Sequence, residues 1–177
     1  MLKAQQVSWG IKGGLNVGSV KIKNSETNYD PRISIHAGGL AHIHLSKQWA
    51  IQPELVFSGQ GFKAANDEVY RLNYLNVPVL VQYMFDNGFR LETGPQVGFL
   101  LGAHRSLNNT SVDVKDGFNG VGFDWALGAG YLIPKTGLGF DARFNFGIAK
   151  INDNTNSDMR NGVFQLGMFY HFNEHWK

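Results

Sequence analysis

His36, His42 and His44 fall on even positions of one alternating stretch, so on a β-strand their imidazoles share a face. Side-by-side imidazoles are what a zinc or copper ion binds. Three histidines spaced along a single strand do not converge on one ion, however, and no partner strand is evident to supply further ligands. The expectation is therefore no metal, and hydrogen-bonded roles inside the fold or at its rim. His104-Arg105-Ser106 sets a base two residues from a hydroxyl, a spacing that an acyl-transfer nucleophile could use. His104 is read as facing inward near a rim with no carboxylate to orient it, so a cluster at the base of a loop is the ordinary reading. Asn152, Asn154, Asn156 and Asp158 alternate oxygen-bearing side chains as calcium loops do, but Ser157 and Val163 stand where glycine and glutamate are needed. Gly128-Ala129-Gly130 lies inside a strand pattern and opens no helix, so it cradles no phosphate. No catalytic residue and no cofactor is expected.

The elements that would position these groups are bounded by composition. The chain has 177 residues, one domain's worth, with 43% hydrophobic, 13% aromatic and 17% charged residues. That mix is too apolar for a disordered chain. A formal charge of +2, with Lys and Arg scattered, offers no basic stripe for phosphates, so nucleic acid is not an expected partner. With no cysteine, disulfides, thiolate zinc sites and cysteine nucleophiles are excluded. No run approaches the roughly 18 apolar residues of a membrane helix, whereas a membrane-spanning barrel dilutes its hydropathy by alternation and stays open. The start, Met1-Leu2-Lys3-Ala4-Gln5-Gln6, lacks the apolar stretch of a secretory signal; the expectation is that a leader has been removed upstream.

Alternation with period two recurs from end to end. Val7, Trp9, Ile11, Leu15 and Val17 oppose Ser8, Gly10, Lys12, Gly14 and Asn16. Ile33, Ile35, Ala37, Ala41, Ile43 and Leu45 oppose Ser34, His36, Gly38, His42 and His44. Similar strands begin near Trp49, Leu75, Phe89, Val121, Leu138 and Phe164, the fifth carrying Phe99, Leu101 and Ala103 on its greasy face. This makes about eight strands of roughly ten residues, an even count and a length suited to tilted membrane crossings. Short connections at 46–48, 86–88 and 134–137 carry hairpin chemistry, and longer polar ones at 19–31, 61–71, 105–119 and 151–160 separate them. The expected fold is all-β: one antiparallel, up-and-down transmembrane β-barrel over about 7–172. Its long loops would be extracellular, and its short turns and both termini periplasmic.

No charged side chain falls on the greasy face, and every mid-strand charge lies opposite. A soluble barrel of this size would carry aliphatics inside and charges outside. Here the sense is inverted, because an interior of this strand number has no room for so many Phe, Trp, Tyr and Ile side chains. Hydrocarbon should therefore meet the greasy face, and the lumen should hold a packed polar network of Lys12, Glu54, Arg90, Glu92, Asp124, Asp141 and Arg143. Trp9, Trp49, Tyr83, Phe85, Phe89, Tyr131, Phe140, Tyr170 and Phe172 collect at the short-turn strand ends, where an aromatic girdle would sit at one membrane interface. With about eight strands the lumen is expected to be plugged rather than open.

Gly10-Ile11-Lys12-Gly13-Gly14-Leu15-Asn16, Ile51-Gln52-Pro53-Glu54-Leu55, Leu72-Asn73-Tyr74-Leu75-Asn76-Val77-Pro78 and Glu92-Thr93-Gly94-Pro95-Gln96 resemble segments of the PorT-like outer-membrane β-barrel family of Bacteroidetes. The likeness spans nearly the whole chain. It implies a Gram-negative outer-membrane location and a small barrel of the OmpX and OmpA kind; founding members are tied to protein secretion and gliding. The ending Gln165-Leu166-Gly167-Met168-Phe169-Tyr170-His171-Phe172 resembles the insertion signal of outer-membrane proteins, with Gln165, Gly167, Tyr170 and Phe172 as its marks and the barrel-assembly machinery as its reader. Five residues follow it, where a terminal aromatic is commoner. The expected function is non-enzymatic, a structural or accessory component of an outer-membrane assembly such as a secretion machine. Its expected partners are outer-membrane lipid and other outer-membrane or secretion proteins. The alternatives are a narrow pore and a lipid-modifying enzyme built on His104 and Ser106.

Overall fold

The structure is a computed structural model and describes residues 7–22, 30–64, 68–107, 110–148 and 159–172. In chain order the strands are β1 (Val7–Ile22), β2 (Asp30–His44), β3 (Trp49–Lys63), β4 (Val69–Met84), β5 (Phe89–Leu107), β6 (Thr110–Asp113), β7 (Val121–Leu132), β8 (Leu138–Gly147) and β9 (Met159–His171). Every strand except β6 pairs antiparallel with a neighbour on each side, and β1 closes on β9, with Leu15 opposite Leu166. The result is a closed eight-stranded up-and-down barrel, with β6 added as a short hairpin on the far end of β5. Closure leaves no unpaired edge among the eight, which is the condition for a sheet to stand in hydrocarbon.

Alternation dictates the two faces. Ile33, Trp9 and Leu127 expose 68%, 63% and 60% of their surface on the outside, while Arg143 and Arg90 expose 2% each and Glu54 3%. The greasy face points out and the charges point in, as the inverted pattern requires.

The three short turns tie β2 to β3, β4 to β5 and β7 to β8 at one end of the barrel. In the second, Phe85 N–H donates to the Phe89 carbonyl at 2.8 Å and Gly88 N–H to the Phe85 carbonyl at 3.1 Å. Gly88 has φ +91°, in the region glycine reaches freely, so Asp86-Asn87-Gly88 is chosen by backbone geometry. At this same end Phe172 N–H reaches the Trp9 carbonyl at 2.8 Å, so the described start and finish of the barrel lie at the short-turn rim.

At the opposite rim the strands run on further than the alternation implied. Segment 61–71, expected as a loop, is mostly ladder: Gly61 faces Arg71, Phe62 faces Tyr70 and Lys63 faces Val69. Segment 105–119 is likewise built up, first as the β5 and β6 hairpin and then as a one-turn 3-10 helix at Lys115–Gly117. The polar composition of both segments reads as loop, but backbone pairing beyond the membrane needs no apolar face.

One register slip corrects the reading of β5. The pairing passes from Asn73 opposite Gly102 to Tyr74 opposite Leu100, leaving Leu101 as an extra residue. Such a bulge shifts the phase of every side chain beyond it. Ala103, expected on the lipid face, is fully buried in the interior, and His104, expected inward, is exposed on the outside.

Candidate functional site

The polar groups of the interior stack in layers between two apolar ends. At the short-turn end Leu40, Leu132 and Phe169 form a buried cluster. Phe169 packs directly over Gly139, where a Cβ would collide with its ring. At the loop end Leu72, Tyr74, Leu100 and Ala103 are buried together, with Val114 and Phe118 from the connection after β6 packed against them. Neither apolar layer was expected from the inward-facing polar pattern.

Between them lies a charge network that crosses the lumen. Arg143 on β8 donates from Nη1 and Nη2 to both oxygens of Glu54 on β3, each at 2.9 Å, and from Nε to Glu92 Oε1 on β5 at 2.8 Å. Lys12 Nζ on β1 reaches Asp141 Oδ2 at 3.0 Å and Glu54 Oε2 at 3.4 Å. Gln52 Nε2 donates to Glu54 Oε1 and Gln82 Nε2 to Glu92 Oε2, each at 2.8 Å. A fork-shaped guanidinium meeting a carboxylate along two parallel bonds is the strongest of such contacts, and only full pairing makes burial of these charges tolerable. The local sequence makes room for it. A Cβ at Gly128 would stand 2.9 Å from Glu92 Oε1, and one at Gly167 2.9 Å from Asp141 Oδ1. Glycine at these inward positions gives the long side chains the space to cross.

Two members of the expected network stand apart from it. The Arg90 guanidinium lies over the Phe169 ring, 4.9 Å from its centroid, in the layer nearer the short turns. Cation–π contact of this kind is favourable for a guanidinium taken out of water. Asp124 accepts from Gln96 Nε2 at 2.8 Å and makes no ion pair among the described residues.

A neutral layer lies on the loop side of the ion pairs. Asn16 Nδ2 donates to Ser58 Oγ at 3.0 Å, Gln165 Nε2 to Asn16 Oδ1 at 3.0 Å, and Asn145 Nδ2 to Gln165 Oε1 at 2.9 Å. His36 Nδ1 contacts Asn16 Oδ1 at 2.7 Å in this layer. His42 and His44 belong to the other end: their rings are 4.6 Å apart, and the His171 ring of β9 stacks on His42 at 5.0 Å. The histidines therefore divide between two layers, and no group of three metal-ligating side chains among the described residues is arranged to hold an ion. His104 and Ser106 share no hydrogen bond; Arg105 beside them pairs with Glu68 at 2.8 Å. The alternating oxygens at 152–158 lie outside the described residues.

Outside, the nine aromatics expected at the girdle stand on the outer face near the short-turn rim. Trp49, Tyr83, Phe85 and Phe89 run on as a chain of ring contacts, with centroids 5.0, 4.9 and 5.6 Å apart. Phe89 pairs with Tyr131, Tyr131 with Phe140, and Tyr170 touches Phe172 at 5.7 Å, so the belt spans β3 to β9. Of the residues marking the terminal pattern, Tyr170 and Phe172 are in this belt, while Gln165 is buried in the neutral layer.

A closed barrel with hydrocarbon-seeking side chains outside and ion pairs sealed within is a transmembrane barrel of the kind found in outer membranes. The chain belongs to the family described as outer membrane protein beta-barrel domain, whose model matches residues 3–153, and its location is accordingly the outer membrane. Solved structures agree on the fold. Neisserial surface protein A aligns with a TM-score of 0.62 at 12% identity, covering 94% of this chain and 99% of that one. Ail, the attachment invasion locus protein of Yersinia pestis, aligns with a TM-score of 0.58 at 17% identity, covering 93% and 98%. No curated protein matches the sequence.

Proposed function

We propose that this barrel is a non-conducting, non-enzymatic wall protein that acts through surfaces outside its lumen, as an accessory component of an outer-membrane assembly such as a secretion machine. The observation that carries the first part is the crossing of the lumen by Arg143, Glu54, Glu92, Lys12 and Asp141, drawn from β1, β3, β5 and β8. A water-filled pore would have to break several buried charge-assisted bonds at once. The extended hairpins of β3 with β4 and β5 with β6 are the surfaces offered to a partner, and the likeness of several segments to the PorT-like family supports a secretion-linked one. In this reading the hairpins face the cell exterior, the short turns and termini face the periplasm, and the aromatic belt lies at the inner interface, where ring bodies meet hydrocarbon and polar tips meet headgroups. Gln165, Gly167, Tyr170 and Phe172 serve the barrel-assembly machinery during insertion.

Planar-bilayer recordings and co-purification test the two parts. No sustained unitary conductance is expected, and specific outer-membrane proteins should remain bound after mild detergent extraction from native membranes. Steady single-channel steps would convert the reading to a narrow pore, and a protein recovered free under every extraction would remove the accessory role. Lipid-A mass spectra should be the same for the parent and Ser106→Ala; a lost modification would restore the enzyme reading.

A further inference from the structure

On the loop side of the neutral layer, Asn76 of β4, Gly98 of β5 and Gly122 of β7 are cross-strand partners in a single inward-facing row. Tyr74 stands one step above this row, and Gln96 with Asp124 one step below. Asn76 exposes 2% of its surface, and neither its amide nitrogen nor its amide oxygen has a hydrogen-bond partner among the described residues. The Tyr74 hydroxyl, on a residue 4% exposed, is likewise unpartnered. A folded chain rarely leaves three such atoms orphaned on adjoining residues. Gly98 lets Asn76 and Tyr74 close in on this row, and Gly122 leaves open space beside them. A Cβ at Gly98 would lie 2.7 Å from Asn76 Oδ1 and 3.4 Å from Tyr74 Cδ1, while one at Gly122 would meet nothing within 4 Å. Asp124 adds a carboxylate whose hydrogen bond comes from the neutral Gln96 amide.

We propose that this row is a binding site for a small primary ammonium compound carrying a neighbouring hydroxyl. The chemistry follows from the groups. Asp124 and Asn76 Oδ1 accept hydrogen bonds from the ammonium, and Asn76 Nδ2 donates to the hydroxyl oxygen. The Tyr74 hydroxyl, able to accept and donate, closes the other side. An anion is rejected by the Asp124 carboxylate, and a purely apolar ligand would leave the same amide and hydroxyl unsatisfied. Leu72, Leu100 and Ala103, with Phe118 packed against them, form the apolar roof over a short carbon body.

The test is a titration of the full chain, folded in detergent micelles, with ethanolammonium chloride, followed by amide nitrogen–proton spectra. Saturable shifts at the Gly98 and Gly122 amides are expected, with a Kd on the order of 1 mM for so small a ligand. Asp124→Asn should weaken binding about tenfold or more, Tyr74→Phe should weaken it to a lesser degree, and sodium acetate should produce no saturable shift. The proposal is overturned if the dispersed spectrum shows no saturable change, which would leave the space beside Gly122 to water. Equal affinity in Asp124→Asn, or equal shifts with acetate, would also overturn it. Should Asp124→Asn lose the dispersed spectrum, Tyr74→Phe decides alone, and unchanged affinity there overturns it.

Discussion

Arg143 concentrates the energetic argument in one side chain, because among the described residues it is the cation that joins Glu54 to Glu92. Replacing it by methionine keeps most of the volume, leaves Glu92 with only the neutral Gln82 amide, and leaves Glu54 with Lys12 as its remaining cation in a low-dielectric interior. The expected cost is roughly 3–5 kcal/mol, the usual effect of removing one partner of a buried ion pair. Urea unfolding in lipid vesicles, followed by tryptophan fluorescence, measures it as a lowered midpoint. Adding Glu92→Gln to Arg143→Met should recover part of the loss, since the carboxylate left without a cation is then neutral. A different residue tests the outer face. Leu127, midway along β7 and 60% exposed, meets hydrocarbon in this reading. Leu127→Arg should cost about 2–4 kcal/mol in the same assay, whereas in a water-facing position the change would be close to neutral.

Elements turn these side chains into an inside and an outside through register. Short turns hold it at one end, and Gly88 is one residue that a side chain would disturb: φ is +91° and a Cβ would press on the Leu132 carbonyl. Gly88→Ala should cost on the order of 1–3 kcal/mol, seen as a lower urea midpoint and a smaller fraction of compact, heat-modifiable barrel on gels. The β5 bulge shows where element-level reading from a sequence stops. Alternation identifies which residues share a face only while the phase is unbroken, and the amino acids around Leu101 carry no mark of the extra residue. Ala103 therefore turns inward and His104 outward through a pairing choice made by β4 and β5 together. The same limit applied to the loops: a polar stretch is equally suited to a loop and to a ladder that continues beyond the membrane.

At the scale of the whole molecule the open matter is which rim faces the cell exterior, and the absence of cysteine makes it directly measurable. Asn87→Cys places a thiol in a short turn, and Lys63→Cys places one at the far end of β3, exposed in both cases. An impermeant maleimide on intact cells should label Lys63→Cys and leave Asn87→Cys unlabelled until the outer membrane is permeabilised. The opposite pattern would place the short turns outside. Either way the barrel spans the bilayer, because both results need a closed wall with a water-facing group at each end.

The sequence by itself determined the class of architecture and the sense of its two faces. Strict alternation, no charge among the large apolar side chains, and more aromatic volume than a narrow interior can contain leave hydrocarbon as the only environment for the greasy face. It also put Lys12, Glu54, Glu92, Asp141 and Arg143, which the structure joins in ion pairs, on one inward face, together with Arg90 and Asp124, which stand outside that cluster. The tertiary structure alone decided which charge meets which. Arg143 lies 89 residues from Glu54 and 51 from Glu92, distances that only strand order and register can close. For the same reason Arg90 stands over the Phe169 ring, and Asp124 lies beside a neutral amide. Composition states how many charges an interior holds, whereas the stagger between neighbouring strands sets the depth at which each one stands.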